Sequence, residues 1–103
     1  MAKFVYLYTG GQMAATPEAQ AEAMQAWGAW FGALGEAVAD PGNPFGPSAA
    51  TLGNGGASSG GASGVGGYTI VNAESLEDAT SLAKGCPVLV GGGSVEVYEA
   101  LPM

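Results

Sequence analysis

Residues 67–97 read GYTIVNAESLEDATSLAKGCPVLVGGGSVEV. This stretch constrains the fold more than any other, because it spells strand, helix and strand with the junctions marked. Residues 68–73 are rich in β-formers, and Ser75 follows as an N-cap whose hydroxyl suits an unpaired helix N–H. Asp78 puts a carboxylate near the positive end of the helix dipole. Leu76, Ala79, Leu82 and Ala83 make an apolar stripe, and Lys84 with Gly85 ends the helix with a cation and a glycine. After a glycine-rich turn, residues 94–99 read as a further strand.

The first half of the chain carries the same grammar. Residues 4–8 are a strand, with Phe4, Tyr6 and Tyr8 on one face and Val5 and Leu7 on the other. Gly10 and Gly11 end it. Thr16-Pro17-Glu18 starts a helix with a cap, a first-turn proline and a carboxylate. That helix runs to Leu34, where Gly35 stops it. Met24, Trp27, Phe31 and Leu34 fall on one stripe predicted to face a sheet, with Trp30 to its side. Residues 36–40 are a short strand. Pro41, Pro44 and Pro47 then impose the loop PGNPFGP, and residues 49–52 resume a strand. Residues 53–67 hold eight glycines, with Asn54-Gly55 as a hairpin-turn signal. The order β-α-β-β-α-β is the ferredoxin-like pattern of an α+β fold with an antiparallel sheet, in one domain over residues 1–103.

Composition bounds what such a domain can do. Of the 103 residues 48% are apolar and only 11% charged, so part of the surface is expected to be covered by a partner, first of all a second copy of the chain. Nine acids against Lys3 and Lys84 give a net charge of −7, which argues against a nucleic-acid partner. One cysteine, Cys86, permits no internal disulfide, and the apolar run in MAKFVYLYTGG is too short for a signal core or a membrane span. A cytoplasmic protein without a membrane partner is expected.

The opening KFVYLY, AWGAWFGALGEAV, DPGNPFG, GYTIVNAESLEDATSLAKGCPV and GGSVEVYEA stand in this order over most of the chain. Together they resemble the YCII-related family, in the branch associated with the DGPF-type domain. The resemblance implies a ferredoxin-like fold that pairs into a dimeric α/β barrel. It also implies a small-molecule cleft between the sheet, the first helix and the proline loop. A histidine–aspartate pair has been proposed as catalytic in that family. This chain has no histidine, and Asp40 is the positional match for the acid.

Several residues bear on chemistry, each with a plainer reading beside it. Asp40 is the candidate catalytic carboxylate, or it caps the turn that Asp-Pro-Gly commonly makes. With Val5, Leu7, Val95 and Val97 turned to the helices, Tyr6, Tyr8, Glu96 and Tyr98 fall on the opposite face, the interior of a dimeric barrel. There they line a ligand cavity or pack an interface through their phenols. The cleft expected from these elements is bounded by Tyr6, Tyr8, Trp30, Asp40, Asn43, Phe45, Ser48 and Glu96. Cys86 lacks a base and reads as an inert buried thiol. Lys84 is explained by the end of its helix, and the serines have no histidine partner. No metal site or cofactor motif is present in the sequence: the carboxylates are scattered and the glycines match no phosphate loop. The alanine-lined far side of the first helix offers a second contact surface for assemblies larger than a dimer. The expected function is binding of a small organic molecule. The alternative is an enzyme of the dimeric-barrel class, an isomerase, lyase or cofactor-free oxygenase, using Asp40 without the family histidine.

Overall fold

The computed structural model describes residues 1–10, 16–61 and 63–102; the strand-ending role expected of Gly11 lies outside them. The chain runs β1 (Ala2–Thr9), α1 (Pro17–Leu34), a 3₁₀ turn (Gly35–Ala37), β2 (Val38–Asp40), β3 (Ala50–Gly53), β4 (Gly56–Ser59), β5 (Val65–Ala73), α2 (Leu76–Ala83), a 3₁₀ turn (Pro87–Leu89) and β6 (Ser94–Ala100). The main sheet has the order β2-β5-β1-β6, antiparallel at each pairing. Each helix connects two strands that lie one position apart across an intervening strand. This is an α+β arrangement compatible with a ferredoxin-like fold. β3 and β4 form a separate two-stranded sheet between β2 and β5. Residues 49–52 therefore do not resume the main sheet; the prolines of the preceding loop carry them into this hairpin.

Both helices start where the sequence marks them. The Thr16 hydroxyl accepts from the Ala19 N–H at 3.1 Å, and the Ser75 hydroxyl accepts from the Asp78 N–H at 3.1 Å. Gly35 ends α1 in the left-handed region, with φ of 55°. Gly85 follows α2 without a positive φ; it is small for another reason, since a Cβ there would sit 3.2 Å from Cδ1 of Trp30.

The core lies between the sheet and the two helices. The facing of β1 is the reverse of the one expected. Phe4 and Tyr6 are buried against the helices, and Tyr8 packs beside them. Val5 and Leu7 lie on the open face. Register explains this. On the helix side Phe4, Tyr6 and Tyr8 stand opposite Val71, Thr69 and Gly67 of β5. Small residues on β5 make room for large rings on β1, and the rings bury more area than Val5 and Leu7 would. Val95 and Val97 do face the helices, opposite Tyr8 and Tyr6. The open face thus carries rows running Ile70–Val5–Tyr98 and Tyr68–Leu7–Glu96.

The stripe of α1 is also rotated from expectation. Trp30 and Leu34 are its buried residues, while Trp27 and Phe31 are half-buried and Met24 is 76% exposed. Trp30 donates its indole N–H to the Leu82 carbonyl at 3.0 Å, tying α1 to α2. Burial deepens along the helix toward its C-terminus. The cleft described next opens beside the middle of the helix, at Met24, Trp27 and Phe31.

Candidate functional site

A cleft of about 500 Å³ opens between α1, the loop after β2 and the adjoining ends of β1 and β5. Trp27 and Phe31 line it from the helix, Tyr8 from β1, and Pro41 to Pro44 from the loop. Val88 contributes from the turn after α2. The rings form a connected wall: Tyr8 meets Trp27 edge to face at 5.1 Å, and Phe31 lies 5.9 Å from Trp27.

Two glycines let the loop lie directly on β5. Gly42 has φ of 73°, and a Cβ there would fall 1.8 Å from the Tyr68 carbonyl oxygen. Gly67 pairs with Pro44 in an isolated bridge, and its Cβ would lie 3.1 Å from the Asn43 oxygen. The Phe45 N–H donates to the Gly66 carbonyl at 2.8 Å, and the Tyr68 N–H donates to the Asn43 carbonyl at 3.3 Å. A side-chain relay holds the same corner. The Tyr8 hydroxyl donates to Oγ1 of Thr69 at 2.6 Å, and Thr69 donates to the Pro41 carbonyl at 2.8 Å. Burial pushes the Tyr8 phenol far above its usual range, so it stays protonated and serves as a fixed donor.

Of the residues expected to bound the cleft, Tyr8 and Asn43 line it. Tyr6 lies beneath, fully buried, with its hydroxyl donated to the Ala79 carbonyl. Burial raises its phenol to about 12. Trp30 is buried and committed to Leu82. Asp40 is exposed at the end of β2, and its Oδ1 accepts from the Gly42 N–H at 2.9 Å. The carboxylate thus caps the turn that shapes the cleft's rim. Phe45 stacks on Tyr68 at 5.8 Å, and with Ser48 it lines a separate shallow groove against Gly60, Gly61 and residues 63–65. Glu96 is on the open face of the sheet, where it accepts from the Tyr98 hydroxyl at 2.6 Å and thereby raises that phenol's pKa. The expected grouping of the tyrosines with Glu96 does not form, because β1 faces the other way.

Sequence reasoning placed Trp27 and Phe31 in the core and left Gly42 and Gly67 without a role. The stripe at helical spacing was the signal for the rings. What it lacked was where the sheet ends beneath the helix. Cys86 is buried, and burial raises its thiol to about 11, well away from thiolate at neutral pH. Among the described residues no three histidine, cysteine or acidic side chains converge as metal ligands, and no helix is long and apolar enough to cross a membrane. The chain matches no protein-family model, no curated protein and no solved structure.

Proposed function

We propose that this protein binds a small organic molecule in the cleft between α1, the proline loop and the sheet. The observation that carries the reading is the cleft itself: about 500 Å³, walled by Tyr8, Trp27 and Phe31 and edged by a loop that two glycines and a hydroxyl relay hold in place. Aromatic walls of this kind suit a flat, mainly apolar ligand, with the Asn43 amide as a polar contact. Binding is favoured over catalysis because the one carboxylate at the rim, Asp40, is exposed and occupied as a turn cap. The likeness to YCII-related proteins belongs to the same proposal and is supported by a strand order compatible with the fold it implies.

The proposal includes a homodimer formed through the open sheet face. Val5, Leu7, Tyr68 and Ile70 form an apolar surface there, and Tyr98 is 52% exposed. The accessible surface is 7014 Å², against about 5,300 Å² for a compact monomer of this mass. Part of that excess is the exposed β3–β4 hairpin, so the apolar rows of the open face, not the total, carry the dimer proposal.

Amide NMR with quinoline, a planar probe uncharged at neutral pH, tests the ligand site. Saturable shifts at Gly42, Asn43, Gly66 and the Trp27 indole are expected. Shifts confined to the separate groove at Phe45, Ser48 and Gly61, or none that saturate, would contradict the reading.

A further inference from the structure

The walls of the cleft also select the charge of what enters. Tyr8, Trp27 and Phe31 put three aromatic rings along it, and a cation over the free face of such a ring is attracted to it. No positive side chain opposes this: the only cationic side chains are Lys3 and Lys84, and neither lines the cleft. An anion would need donors, and three of those nearby are already used. The Tyr8 hydroxyl is given to Thr69, the Thr69 hydroxyl to the Pro41 carbonyl, and the Gly42 N–H to Asp40. At the rim, one carboxylate oxygen of Asp40 sits 2.9 Å from the nitrogen of Gly42, a lining residue. The whole chain adds a background charge of −7.

We propose, resting on the reading of the cleft as a ligand site, that its occupant is a planar organic cation, an aromatic ring bearing a positively charged nitrogen, held by the Tyr8, Trp27 and Phe31 rings with Asp40 as the rim counter-charge. The rings supply contact area and quadrupole attraction together. Asp40 supplies charge complementarity while keeping its turn. Simple carboxylates and phosphates are disfavoured, since no cationic side chain lines the cleft to balance their charge.

The test compares two probes of the same ring, neutral quinoline and permanently cationic N-methylquinolinium, by amide NMR titration of the full chain. It is run in high salt, which screens the diffuse negative field but not a contact within the cleft. The cation is expected to bind about tenfold more tightly than quinoline, with both shifting Gly42, Gly66 and the Trp27 indole. In Asp40→Asn, which keeps an oxygen for the Gly42 N–H, the preference for the cation is expected to shrink about threefold. Equal affinities would overturn the charge selection and leave the cleft as a ligand site. Cation binding that shifts only residues outside the cleft would overturn it too. If neither probe shifts the cleft residues, the ligand site falls together with its charge selection.

Discussion

At the scale of single residues, the cleft depends on atoms that are missing. Gly42 has a left-handed backbone and no room for a Cβ against the Tyr68 carbonyl. Gly42→Ala is expected to destabilise the protein by at least about 3 kcal/mol, read from the shift of the urea midpoint. A midpoint equal to wild type would mean that the loop does not lie on β5. Titration gives a second prediction. Burial raises the Cys86 thiol from 9.0 to about 11 and the Tyr6 phenol from 10.0 to about 12. Both groups are neutral when protonated, so between those values the folded chain holds more protons than the unfolded one. Their stabilisation is full below about pH 9 and is lost as pH rises through 11 to 12. Urea midpoints should be level through neutral pH and fall above 9, and Tyr6→Phe should flatten part of that fall. A midpoint that holds to pH 12 would contradict the burial of both groups. Asp40 was legible in the sequence only as an alternative. Asp before Pro-Gly allows a turn cap as readily as an active carboxylate, and the Gly42 N–H bond favours the cap.

At the scale of elements, the helix starts, the end of α1 and the order of the main strands could be read directly, because caps, prolines and glycines act through local backbone chemistry. Facing could not. Strict alternation in β1 allows two orientations, and the choice is made by the small residues Gly67, Thr69 and Val71 on a strand some sixty positions away. The same holds for α1, where spacing puts Trp27 on the apolar stripe and Trp30 to its side. Packing against α2 decides for Trp30, which is 6% exposed and bonded to the Leu82 carbonyl. Trp30→Ala is therefore expected to cost about 3–5 kcal/mol in chemical denaturation. Trp27→Ala should cost less than Trp30→Ala and instead weaken probe binding in the cleft. The reverse ranking of the two stabilities would show that α1 is rotated from the position described.

At the scale of the whole molecule, a thin slab of 43 × 42 × 19 Å carries its helices on one side and a half-exposed, mainly apolar sheet face on the other. Light scattering at micromolar concentration is expected to return twice the chain mass of 10.1 kDa, and Val5→Asp to halve it. A wild-type mass of one chain would leave the sheet face uncovered and remove the homodimer. The shortage of charge pointed to a partner over some surface, but not to which surface, because that depended on the facing of β1. On the proposed reading the two sides of the slab have separate roles: self-association on the sheet, and ligand binding beside Trp27 and Phe31 of α1. Intermolecular nuclear Overhauser contacts to whichever of quinoline and N-methylquinolinium binds more tightly separate these roles most directly. Contacts to the rings of Tyr8, Trp27 and Phe31, with none to Val5, Leu7 or Ile70, are the predicted result. Contacts to Val5, Leu7 and Ile70 alone, or to none of these residues, would contradict the assignment of the cleft as the ligand site.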